Sequence, residues 1–110
     1  MTITAIFKSA SHVIEFCGRL TYGPESDKRY EELCSQLERG VRSLVFDLRL
    51  VPDIDSAGIG FLVSCLTTAR RAQAEISLAA PSSRVLHTLL ITKLHALFPV
   101  FDSVESALAA

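Results

Sequence analysis

No stretch of the sequence approaches the ~20 consecutive apolar residues that carry a helix across a bilayer. The opening Thr2-Ile3-Thr4-Ala5-Ile6-Phe7 also lacks the basic start, long apolar core and small-residue cleavage site of a secretory signal. From these two absences the expectation is a cytoplasmic protein with no direct membrane insertion. Surplus charge is missing as well: 11 Lys and Arg stand against 12 Asp and Glu, so long-range electrostatics call for no nucleic acid and no anionic membrane surface. Proteins are the expected partners. Cysteine is sparse and odd in number. Cys17, Cys34 and Cys65 lie far apart, inside apolar runs or on a helix face, which suits small buried hydrophobes better than a disulfide framework or a zinc site. Repeats, low-complexity tracts and long linkers are absent, so residues 1–110 are expected to form one domain. A chain of this length can bury roughly two-thirds of its unfolded surface in a single core.

What is present is an alternation of short apolar runs with helical stripes. Thr2 to Lys8 alternates loosely and His12 to Cys17 is more apolar; Ser9-Ala10-Ser11 between them suits a hairpin turn. Gly18 closes the second run. Tyr22-Gly23-Pro24 leads into Glu25, Ser26 and Asp27, and Tyr30, Leu33, Cys34 and Leu37 then supply the stripe of a helix that Gly40 stops. Val41 to Leu48 reads as the central strand. A helix with Phe61, Leu62, Cys65, Leu66 and Ala69 on one face follows, ending near Ala72. Glu75 to Ala79 is a short strand, and Pro81-Ser82-Ser83 opens a helix whose Val85, Leu86, Leu89 and Leu90 are expected to face the core. Leu97 to Phe101 is a further strand, and Asp102 or Ser103 caps a last helix through Leu108. The expected fold is α/β: a mixed sheet of about five strands with an initial antiparallel hairpin, and about four helices.

The segment Asp53-Ile54-Asp55-Ser56-Ala57-Gly58-Ile59-Gly60 sits between the central strand and its helix. Asp55 or Ser56 is the expected cap. Unpaired N–H groups and the helix dipole at such a start favour a side-chain oxygen or an anion, so a phosphate on Ser56 would be tolerated while changing the surface. Gly58 and Gly60 suit either the close approach of a partner or tight helix packing, with packing favoured for Gly60. Asp53 and Asp55 lack a third ligand nearby for a metal and are assigned turn and capping roles. A hydrolase would need Gly two residues before Ser56, where Ile54 stands, and His87 and His95 are remote candidates for its base. The expectation is therefore a protein that is not an enzyme and needs no cofactor.

The strand, the Asp55-Ser56-x-Gly58-x-Gly60 turn and the helix, followed by Glu75-Ile76-Ser77-Leu78, Val85-Leu86 and the segment Leu97 to Leu108, resemble the STAS domain (sulfate transporter and anti-sigma-factor antagonist) from about Val13 onward. The resemblance is greatest to stand-alone bacterial anti-sigma-factor antagonists. It implies helices largely on one side of the sheet and an anti-sigma factor of histidine-kinase-like ATP fold as partner. It implies too that this partner phosphorylates Ser56, that a serine phosphatase reverses the step, and that Asp53, Asp55, Gly58 and Ile59 border the contact surface. A monomer or weak dimer is expected. Two departures stand out. The phosphoswitch members commonly have Gly-x-Leu-Asp where this chain has Gly18-Arg19-Leu20-Thr21, so the acid near the phosphorylation site is replaced by Thr21. They also place Gly before the Leu matching Leu94, where Thr92-Lys93 stands. An intact Ser56 favours the switch. Thr21 favours the alternative of a constitutive STAS subunit, in a lipid-transport ABC complex or a signalling scaffold, without phosphate turnover.

Overall fold

The computed structural model describes residues 11–110, and its elements follow the sequence patterns closely. Strand β1 is Ser11–Cys17, helix α1 Pro24–Glu38, strand β2 Ser43–Leu50 and helix α2 Ser56–Arg71. Strand β3 (Glu75–Ala79), helix α3 (Ser83–Ile91), a 3₁₀ turn (Leu94–Ala96), strand β4 (Val100–Phe101) and helix α4 (Val104–Ala109) complete the chain. The strands lie in the order β1-β2-β3-β4, and every pairing among them is parallel.

This corrects the expected mixed sheet. Among the described residues there are four strands and four α-helices, and the strand over 11–17 pairs with β2 in parallel. Ser11, read from sequence as part of a hairpin turn, is already in the ladder opposite Ser43. The physical reason is the connection. α1 carries the chain from β1 back to the start of β2, and such a crossover returns the next strand in the same direction. The other half of the expected hairpin, Thr2 to Lys8 with Ser9 and Ala10, lies outside the described residues.

Because the strands follow one another in sequence order and the crossovers share one hand, α1, α2 and α3 fall on the same face of the sheet. β2 alternates accordingly. Leu44, Phe46 and Leu48 point into the main core with Ile14, Phe16, Ile76, Leu78, Leu33, Leu62 and Leu89, all nearly or fully buried. Each such side chain contributes about 1.5–3 kcal/mol by leaving water. Val45 points the other way, into a small second core with Ala79 and Ala107 of α4. Asp47 is also buried on that second face, held by Arg49 through Nε at 3.0 and 3.1 Å.

Helix ends are set locally. Pro24 starts α1, with Ser26 Oγ 3.0 Å from the Gly23 backbone N–H. Gly40, at φ 93°, ends α1 as Val41 N–H returns to the Gln36 carbonyl at 3.0 Å. Two further differences from the sequence reading concern the C-terminal third. Only Val85 and Leu89 of α3 are buried, whereas Leu86 and Leu90 are 36% and 47% exposed, because a short helix on a sheet covers itself with a single i, i+4 row. β4 is only Val100–Phe101, since the preceding residues turn through the 3₁₀ segment to bury Phe98.

Candidate functional site

At the C-terminal ends of β1 and β2 the two outgoing connections run side by side. Gly18 N–H bonds the Leu50 carbonyl at 3.0 Å, Leu20 N–H bonds the Asp53 carbonyl at 3.0 Å, and Asp55 N–H returns to the Leu20 carbonyl at 3.2 Å. Buried Leu20 and Ile54 form a parallel bridge between them. This is the edge of a parallel sheet where loops converge, and α2 starts there.

Asp55, with extended backbone angles, is the cap of α2: its Oδ1 accepts the Gly58 N–H at 2.8 Å. That decides between the two candidates. Ser56 is the first helical residue, it is exposed, and no hydrogen bond to its hydroxyl occurs among the described residues. Gly58 is buried because α2 meets the β1–α1 connection there. A Cβ at Gly58 would sit on the Leu20 carbonyl oxygen, with the carbonyl carbon at 2.7 Å and Ile54 Cγ2 at 2.9 Å. At Gly60 the nearest atom to such a Cβ would be the Tyr22 hydroxyl at 3.9 Å. The packing demand thus falls on Gly58, not on Gly60 as the sequence reading favoured.

Charge at this edge is paired. Arg19 holds Asp53 through two bonds, Nε to Oδ1 at 2.8 Å and a terminal guanidinium nitrogen to Oδ2 at 2.9 Å. Asp53 is consequently below its ordinary carboxyl pKa, through the Arg19 bond first and then the charges of Arg19 and Arg84. Asp55 is lowered by the Thr21 hydroxyl first and the Gly58 N–H next, with Arg19 adding to it. Thr21, Asp53, Asp55 and Ser56 are therefore brought together in one partly exposed patch. Gly58 lies beneath it, and half-buried Ile59 packs against the main core.

Arg19 is the residue that sequence reasoning passed over. It is 34 positions from its partner, and no spacing rule connects them. His95, considered as a base for Ser56, turns its Nδ1 toward the Leu89 carbonyl at 3.4 Å, and His87 is exposed. Among the described residues no group of three or more His, Cys, Asp or Glu could hold a metal ion, and no helix is long and apolar enough to cross a membrane.

Comparison with known proteins converges on one family. The model of the STAS domain matches residues 6–107. A protein of Bordetella bronchiseptica described as a candidate anti-sigma factor antagonist, BtrV, is 33% identical over 79 residues, which cover 72% of this chain and 68% of that one. Among solved structures, a sulfate transporter family protein from Wolinella succinogenes superposes with a TM-score of 0.72 at 22% identity, over 91% of this chain and 83% of the other. The anti-sigma factor antagonist SpoIIAA, in its unphosphorylated form, superposes with a TM-score of 0.61 at 18% identity, over 86% and 81%.

Proposed function

Because the chain belongs to the STAS domain family, we propose that it is an anti-sigma-factor antagonist whose binding is ended by phosphorylation of Ser56. The partner is an anti-sigma factor with a histidine-kinase-like ATP fold. In its antagonist-bound state that partner releases a sigma factor. Acting as a kinase, it moves the γ-phosphoryl of ATP to Ser56 Oγ, the hydroxyl proton leaves, and ADP is the product. A serine phosphatase restores the binding form by hydrolysis. The chain itself performs no catalysis.

The observation that carries this reading is the division of work between neighbours: Asp55 caps α2, which leaves the exposed Ser56 hydroxyl without a structural task. A phosphate there adds roughly −1.5 to −2 charges beside Asp53 and Asp55, at a helix start that accepts anions. The surface changes and the fold does not. The BtrV likeness supports an anti-sigma factor as the partner class.

Isothermal titration of the partner tests it. Ser56→Glu should bind roughly tenfold or more weakly, equivalent to about 1.4 kcal/mol, with an unchanged circular dichroism spectrum. Enzymatically phosphorylated protein should show the larger loss, and Ser56→Ala should bind as the wild type does. Equal affinity of the unmodified and phosphorylated forms would refute the switch.

One residue favours a second reading, a constitutive interaction subunit of a lipid-transport ABC complex or a scaffold. Thr21 stands where the phosphoswitch relatives carry an acid, and its hydroxyl serves Asp55. If neither the wild type nor Thr21→Asp takes phosphate from any copurifying ATP-binding partner, this second reading replaces the first.

A further inference from the structure

Ser56, Gly60 and Ser64 recur at four-residue spacing along α2 and so share one face. That face runs from the Ser56 hydroxyl to a cleft of about 470 Å³ between α1 and α2, lined by Tyr22, Asp27, Tyr30, Glu31, Phe61 and Ser64. Tyr22 stands at the junction, 59% exposed, on the side of Gly60. The other rings are fixed. The Tyr30 hydroxyl is 2.6 Å from Thr68 Oγ1 on α2, and buried Phe61 meets Phe16 edge-on at 6.0 Å between centroids.

Charge in the cleft is of one sign. Asp27 and Glu31 are exposed and four residues apart on α1, a spacing at which like charges repel and weaken a helix. Their neighbours Glu25 and Glu32 are compensated by Arg29 at 3.7 and 3.3 Å, and Glu32 is also hydrogen-bonded by His12 Nε2 at 2.7 Å. Among the described residues no cation reaches Asp27 or Glu31 within ion-pair distance. Aromatic faces attract cations, arginine above all, and carboxylates match the planar guanidinium fork. Three rings and two uncompensated carboxylates around one cleft are complementary to a guanidinium on a long apolar stem.

We propose that the α1–α2 cleft receives an arginine side chain from a basic segment of the partner, as an anchor beside the Ser56 surface. That its occupant belongs to a protein rests on the function proposed above. Eight residues at 1.5 Å rise separate Ser56 from Ser64, at the far end of the cleft, by about 12 Å, so an arginine seated at that end lies beyond the Debye length of about 8 Å at physiological ionic strength. The anchor therefore holds alike whether Ser56 is free or charged, and it contributes the salt-sensitive part of binding while Ser56 governs release.

The full chain, labelled with nitrogen-15, is titrated with acetyl-Gly-Arg-Gly-Arg-Gly-amide and with the same peptide carrying neutral citrulline for arginine. Saturable shifts centred on the amides of Tyr22, Phe61 and Ser64 are expected with arginine and not with citrulline. The dissociation constant should rise at least about fivefold between 50 and 300 mM NaCl, as expected for exposed charges, and by a similar factor in the double variant Asp27→Asn, Glu31→Gln. Both substitutions remove exposed charges that repel, so the fold is kept; Tyr22→Ala, at an exposed ring, tests the aromatic wall separately and should also weaken binding. In Ser56→Glu at physiological ionic strength the peptide constant should stay within about twofold of wild type, since screening there isolates the two sites. Scattered shifts, equal binding of the citrulline peptide, or undiminished binding by the double variant would overturn the cleft assignment. None of those results bears on the Ser56 switch, which is read with the anti-sigma factor itself.

Discussion

Exchanging Gly58 for alanine should unseat the start of α2, while the same exchange at Gly60 should not. The Cβ of Gly58→Ala would occupy the position of the Leu20 carbonyl oxygen and crowd Ile54 Cγ2 at 2.9 Å. Neither neighbour can step aside freely, because Leu20 is bonded through its N–H to Asp53 and through its carbonyl to Asp55 at 3.0 and 3.2 Å. Overpacking of a tight site costs about 1–3 kcal/mol, and a weakened backbone bond about 1 kcal/mol more. The better helix propensity of alanine returns at most about 1 kcal/mol. The net loss is about 1–3 kcal/mol, or roughly 5–20 °C in melting temperature for a domain of this size. For Gly60→Ala the nearest atom is the Tyr22 hydroxyl at 3.9 Å, so the propensity gain stands alone and stability should rise by up to about 1 kcal/mol. Urea denaturation followed by circular dichroism measures both. A Gly58→Ala protein as stable as wild type, or equal losses at the two positions, would refute the steric account.

Lys93 and Gln73 follow helices with φ of 63° and 59°; Lys93→Gly and Gln73→Gly should each stabilise by about 0.5–1 kcal/mol in thermal melts, because glycine meets no penalty in the left-handed region. Burial pushes the Cys65 thiol up to about 12, with Cys34 adding to it. Iodoacetamide at pH 8 should therefore label exposed Cys17 and spare Cys65 in the native protein, as read by peptide mass spectrometry. Since the folded thiol keeps its proton while an unfolded one loses it from about pH 9, Cys65 makes the fold less stable as pH rises from there toward 12. Asp53 and Asp55 act in the opposite range: both are lowered from 3.8, so their contribution is present above about pH 4 and is lost as pH falls further. Urea midpoints between pH 7 and 3 should show that loss, and Asp55→Asn, which still caps, should flatten it.

Most of the fold was readable in the sequence because each helix carries its apolar residues at helical spacing and each central strand is short and apolar. Phe61, Leu62, Cys65, Leu66 and Ala69 are all buried on α2 as their spacing requires. Direction was not readable. The apolar run His12 to Cys17 fits a strand pairing in either direction, and only the crossover through α1 makes it parallel to β2. Leu86 and Leu90 misled for a related reason: periodicity gives the face of a helix, while the width of the surface it meets decides how much of that face is covered.

The site was readable as far as local chemistry reaches. An Asp-Ser pair at a strand-to-helix junction announces a cap, but which residue acts depends on whose oxygen reaches the third N–H of the helix, and Asp55 does so at 2.8 Å. What the sequence could not disclose is how the departure at Thr21 is accommodated. A carboxylate at that position would face Asp55 as a like charge, raising its pKa and weakening its hold on Gly58. Thr21 instead leaves that position uncharged and favours the Asp55 carboxylate, and Arg19, two residues earlier, supplies a positive charge that pairs Asp53 and also lowers Asp55. The segment Gly18-Arg19-Leu20-Thr21 thus holds the loop of residues 53–55 from one side, Leu20 through main-chain bonds to the Asp53 carbonyl and the Asp55 N–H, and Arg19 through its side-chain bonds to the Asp53 carboxylate. With both acids held in that way, Ser56 is the one polar side chain of the turn left facing solvent without a hydrogen-bond partner among the described residues.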